Sequence, residues 1–254
     1  MSVRPTSRTS TTGSGDPAAD ALRARMLHRL VCHRALHDAA IEPRNRDPRL
    51  PELRRWQQQR LAASFAGFLA DPRTRPAAEF FLEDLYGDRD FSGRDRDLAR
   101  VLPKMAALLP VKMIATAADG IELAALSHAL DLRMAAALSA GLREGDAIDA
   151  AGYADAYRAV GLPRLRRRQI ALVARIGAAL DQAVRMPALW GLLKMCRVPA
   201  KLAGLDALQS FLERGFGAFR KLDGATDFVG RIVAQENEVS RRLFAGDPDP
   251  FGEP

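Results

Sequence analysis

Apolar residues recur along this chain every three or four positions, and the recurrence is broken at prolines, glycines and short charged runs. That period is the signature of helices with one buried face. A first helix opens at Asp16-Pro17, with Asp16 as cap and Pro17 in the first turn, and runs to about Ala40. A second, about 51–70, sets Leu53, Trp56, Leu61, Phe65, Phe68 and Leu69 at helical spacing before Asp71-Pro72. Beyond Ser92, which with Asp95 forms a capping box, the repeat Leu98, Val101, Leu102, Met105, Leu108, Leu109 continues across Pro103. A short helix is expected at 110–117, and a separate long one at 120–140 begins at Asp119 and Glu122. The long one is apolar all round except at Glu122, Ser127, His128, Asp131 and Arg133, which makes it the expected centre of the fold. Further helices follow at about 148–160, 164–185, 204–222 and 225–244, and Pro187 and Pro199 bracket a short apolar helix with Trp190, Leu192, Leu193 and Met195. Gly215 and Gly217 are expected to admit a close neighbour. Alternation of period two is absent, so no strand is expected.

The densest aromatic cluster is Phe80-Phe81-Leu82-Glu83-Asp84-Leu85-Tyr86-Gly87. On a wheel of about 100° per residue, Ala78, Phe81, Leu82 and Leu85 form one apolar face, which Phe80 and Tyr86 widen. Glu79, Glu83 and Asp84 interrupt it, Gly87 is the expected left-handed cap, and Arg75 is placed to pair with Glu79. The reading is one all-α, bundle-like domain of eight to ten helices over 17–245. Tails at 1–16 and 246–254 are expected to be disordered, being too rich in Ser, Thr, Gly, Pro and charge to bury surface.

Composition narrows the function by exclusion. No apolar run is long enough to span a bilayer, and residues 1–16 lack the apolar core of a signal peptide, so a cytoplasmic protein without membrane insertion is expected. Cys32 and Cys196 form no paired redox or metal motif. The net charge of +7 permits contact with anions without requiring it, and all but five of the 38 basic residues are arginine. Walker, dinucleotide, GxSxG and HExxH patterns are missing, and no Glu stands three before any histidine, which excludes a ferritin-like di-iron site.

Three constellations remain. Ser127, His128 and Asp131 share a face of the central helix, where a carboxylate beside an imidazole would orient it and raise its pKa, as a general base or ligand-binding group requires. Glu79 and Glu83 are the expected further members of such a site. His33 and His37, one turn apart and near His28 and Cys32, could chelate a metal, although Arg29 and Arg34 oppose a cation there. Arg164, Arg168 and Arg175, within the acid-free run Arg158–Arg175, fall near one face as phosphate contacts would, yet no aromatic residue is interleaved. For each the plainer reading is structural: satisfied core polar groups, a surface helix, and an ion-pair face.

The motif Phe80–Gly87, with Asp90-Phe91-Ser92 and Arg94-Asp95 after it, resembles the bacterial family named for an FFLEELY motif, with Asp84 in place of the second glutamate. Leu208-Gln209-Ser210-Phe211-Leu212-Glu213-Arg214-Gly215-Phe216 is similar to that family's C-terminal part. The resemblance spans about 20–245 and implies no reaction or cofactor. The resulting expectation is a protein- or small-ligand-binding domain that is not a catalyst and needs no cofactor. An enzyme using His128 and Asp131 with Glu79 and Glu83 is one alternative, and a nucleic-acid binder using the arginine face is the other, less favoured.

Overall fold

The computed structural model describes residues 16–85, 92–105, 110–143, 145–222 and 224–252, which form helices and connecting turns with no strand among them. In chain order the helices are α1 (Pro17–His37), α2 (Arg49–Ser64), α3 (Ala66–Ala70), α4 (Arg75–Phe80), α5 (Ser92–Met105), α6 (Val111–Gly141), α7 (Ala150–Val160), α8 (Pro163–Val184), α9 (Pro187–Met195), α10 (Arg197–Leu202), α11 (Asp206–Arg220) and α12 (Ala225–Ala245). A 3-10 turn, Pro43–Arg46, precedes α2, and a π-helical turn, Phe81–Leu85, continues α4. The all-α expectation holds, and none of these helices is long and apolar enough to cross a membrane.

Helix α6 is the hub, and α1, α2, α7 and α8 lie against it. The sequence divides it at Asp119-Gly120, but the structure runs it unbroken over 31 residues. Asp119 is spent on Arg175 of α8, whose Nη2 lies 2.5 Å from both carboxylate oxygens, so it caps nothing and the helix runs on. Met26, Leu30, Ile114 and Ile121 fill the α1–α6 side, while Leu53, Leu132, Leu138, Tyr153 and Leu243 fill the side shared with α2, α7 and α12.

The aromatic motif packs on α11 and α12. Phe81 sits among Phe65, Phe219 and Phe228, and Phe80 lies 5.4 Å from Phe211, its ring against Gly215. A Cβ at Gly215 would come within 2.7 Å of that ring, so the close approach needs glycine; Gly217 has nothing nearer than Trp190 at 4.0 Å. The π turn reassigns the faces. Bonding from i to i+5 advances each residue through a smaller angle, so Leu85 falls off the apolar face and is exposed, while Asp84 turns inward. There Arg214 of α11 grips it through Nη2 at 2.5 Å and Nε at 3.1 Å. The two stretches that carry the family resemblance are thus packed on each other. Gly87, Tyr86 and the Ser92 capping hydroxyl lie outside the described residues.

Helix starts are secured across space as well as locally. Asp181 of α8 accepts the first amide of α12, Ala225, at 2.7 Å, and buried Asp97 of α5 accepts Leu208 N of α11 at 3.2 Å. Carboxylates at helix N-termini satisfy orphan donors and oppose the positive end of the dipole.

The C-terminal expectation needs correction, because residues 246–252 are not a loose tail. Arg242 pairs with Asp247 and donates to the Gly252 carbonyl, folding the segment back. Phe251 then inserts at 5.6 Å from Trp56 and 5.9 Å from Tyr153. One aromatic anchor outweighs the Pro, Gly and Asp around it. Residues 1–15, 253 and 254 lie outside the described residues.

Candidate functional site

Two histidines one turn apart on α1 meet a third, distant in sequence, where α1, the 3-10 turn and α2 close over α6. His128 is buried on α6 and stacks face to face with His37 of α1, ring centroids 3.8 Å apart. His33, one turn before His37, lies 4.3 Å from it and places Nε2 3.3 Å from Asp95 of α5.

The hydrogen bonds fix the His128 tautomer. Arg54 Nη2 can only donate, so His128 Nδ1, 2.8 Å away, accepts. Asn45 holds its amide nitrogen against the Leu36 and Glu42 carbonyls, which leaves Oδ1 to accept from His128 Nε2 at 2.8 Å. The imidazole is therefore neutral with its proton on Nε2. Burial, then the neighbouring His37 and Arg54 charges, push its pKa down to about 3. This reverses the expectation of an imidazole raised by Asp131. No hydrogen bond joins the two; Asp131 accepts instead from Gln57 of α2 at 3.2 Å, and burial raises its carboxyl against the pull of Arg54.

Ser127 faces a third way and accepts from Gln169 of α8 at 2.8 Å. The three polar groups of α6 are therefore each claimed by a different neighbour, with no nucleophile–base–orienter chain among them. Both nitrogens of His128 are occupied, so neither can take a substrate proton. Glu79 and Glu83 are exposed, unlike His128, and the structure does not bring them to it. Arg75, expected to pair with Glu79, donates to the Leu69 carbonyl at 2.7 Å instead.

The metal reading of His33 and His37 also meets a geometric obstacle. His37 Nδ1 donates to the His33 carbonyl at 2.9 Å, and its ring lies flat on His128, so the nitrogens do not converge. No group of three or more His, Cys, Asp or Glu side chains among the described residues is placed to hold a metal ion. Cys32 lies 3.9 Å from His28 on the exposed side of α1.

The arginine face is largely neutralised. Arg168 donates to Glu122 at 2.7 Å, Arg29 of α1 reaches the other oxygen at 2.5 Å, and Arg175 takes Asp119. The Glu122 carboxyl is held below its usual range, first by the Arg168 hydrogen bond. Arg158 pairs with Asp155, while Arg164 and Arg167 stand exposed. Arg166 turns inward onto the Tyr157 ring at 4.5 Å.

The feature that sequence reasoning passed over lies at the other end of the chain. Helices α9 and α10 contain no buried residue, although they are rich in apolar ones. Leu192, Met195, Val198 and Leu202 are 55%, 76%, 65% and 85% exposed. The body side of the segment rests on α11, where Trp190 stacks on Phe216 at 5.6 Å and the Leu193 carbonyl receives Gln209. An apolar helix reads from sequence as interior. The available signal was charge: residues 182–205 hold Arg185, Lys194, Arg197 and Lys201 and no acid.

A model of the family described as Domain of unknown function (DUF8198) matches residues 36–250. No curated protein and no solved structure matches the chain.

Proposed function

We propose that this chain, which belongs to the DUF8198 family, is a non-catalytic docking domain whose working surface is the α9–α10 ridge. The observation that carries the reading is the exposure of Leu192, Met195, Val198 and Leu202 on consecutive turns of one segment. Scattered exposed leucines are ordinary, whereas a contiguous exposed apolar patch on a soluble fold marks an interaction site. Covering a Leu or Met side chain is worth about 1.5–3 kcal/mol, so four together supply a substantial drive for association. The likeness to FFLEELY-motif proteins and an intracellular setting are part of the same proposal.

The two alternatives draw less support. A catalyst built on Ser127, His128 and Asp131 would need one of those groups free to meet a substrate, and Gln169, Asn45, Arg54 and Gln57 occupy them. A phosphate-tracking surface would need unpaired cations, and Arg168 and Arg175 already hold acids.

The test uses the two thiols, both exposed. Cys196 lies within the ridge and Cys32 on α1, far along the chain. Maleimide labelling rates are measured for each thiol alone, in Cys32→Ser and Cys196→Ser chains, purified and inside expressing cells. Docking lowers the Cys196 to Cys32 rate ratio in cells. An unchanged ratio refutes the docking role.

A further inference from the structure

We propose that the ridge docks on an anionic lipid bilayer surface, lying in its interface rather than crossing it; this rests on the docking role above. Helices α9 and α10 follow one another along nearly one axis, because two backbone hydrogen bonds span the joint, although Pro199 lacks the N–H for the rung to Met195. Cys196 N donates to Leu192 O at 2.9 Å and Ala200 N to Cys196 O at 2.8 Å, with Cys196 itself helical. At about 100° per residue, Met195 and Leu202 project on the side opposite Leu193, which rests on α11, and Val198 and Leu192 flank them. Lys194, Arg197 and Lys201 each precede one of Met195, Val198 and Leu202 by one residue. The cations therefore form a second stripe along one side of the apolar one. An apolar stripe bordered by basic residues is the arrangement of helices that lie in a membrane interface.

Charge and shape select the occupant. Side chains exposed to the extent of Met195 and Leu202 stand proud of the surface, and a bilayer accepts protruding groups without a matching pocket. Lysine stems lie along apolar surface while their ammonium groups reach outward to headgroup phosphates. In the free protein the Lys194 ammonium rests over the Trp190 ring, Nζ 4.9 Å from its centroid, and it exchanges that contact for a headgroup phosphate on docking. A second copy is disfavoured, because facing ridges would oppose cation to cation in a chain of net charge +7. Arg197 pairs with Glu213 and Arg185 with Asp181, so Lys194 and Lys201 carry most of the attraction.

The experiment is cosedimentation of the full-length protein with vesicles of phosphatidylcholine, alone or mixed with phosphatidylglycerol. The expected result is binding to the mixed vesicles, little to phosphatidylcholine alone, and weakening with added salt as screening shortens. Lys194→Gln and Lys201→Gln should each weaken binding about fivefold. Met195→Glu with Leu202→Glu should abolish it while leaving circular dichroism and melting temperature unchanged, since both side chains face solvent. Absence of binding to mixed vesicles, or equal binding to both kinds, overturns the lipid assignment. If Cys196 is nonetheless protected in cells, docking stands and its partner is a protein. Concentration-dependent dimerisation in sedimentation equilibrium that Met195→Glu removes assigns the ridge to a second copy. If vesicles fail and Cys196 is unprotected, docking falls too.

Discussion

Acid should weaken this fold through His128, by an amount that can be worked from its surroundings. In the folded chain the imidazole is neutral, its pKa about 3 against about 6.5 for an ordinary histidine. The unfolded chain therefore binds a proton that the folded chain refuses, over the window between those values. Because the unfolded state holds more protons there, stability rises with pH. It is intact above about pH 7 and lost as pH falls through 6.5 toward 3. At pH 5, about 1.5 units below the unfolded value and at 1.4 kcal/mol per unit, the loss is about 2 kcal/mol. Solvent reaches the cluster past exposed His37, so about 1 kcal/mol remains after screening. The comparison is His128→Gln, whose amide can accept from Arg54 and donate to Asn45 as the imidazole does but does not titrate. Urea unfolding of both chains at pH 7.5 and pH 5 should show the native chain losing about 1 kcal/mol more than the variant. Equal losses would mean that His128 is not held neutral by its neighbours, and the tautomer argument would fall.

Three further substitutions test the packing. Gly177→Ala places a methyl 2.6 Å from both Val229 methyl groups where α8 crosses α12, and should cost about 1–3 kcal/mol in thermal unfolding. Gly217→Ala, with nothing closer than 4.0 Å, should instead stabilise by about 0.5–1 kcal/mol through helix propensity; equal signs would refute the crossing geometry. Phe251→Ala should lower stability by about 1–2 kcal/mol, less than for a fully buried phenylalanine because the ring is half-buried. No change in melting temperature would show that residues 246–252 do not belong to the domain.

Helix content and most helix boundaries are legible in the order of residues, because burial with a period near 3.6 leaves its mark on every amphipathic segment. So is the apolar character of α6, which the structure places at the centre of the packing. The candidate site was legible residue by residue but not as a site. His33 and His37 announce each other by spacing, while His128 joins them from 91 positions beyond His37 only because α1 lies on α6. The direction of the His128 shift is set first by burial and then by His37 and Arg54, which no local pattern ties to it. Partners across space likewise set the inward turn of Asp84, the pairing of Arg168 with Glu122 and the docking of Phe251. The ridge is the plainest case. Periodicity says that a helix face is apolar, but whether a neighbour covers that face is a property of the whole packed chain, and among the described residues none covers Met195 and Leu202.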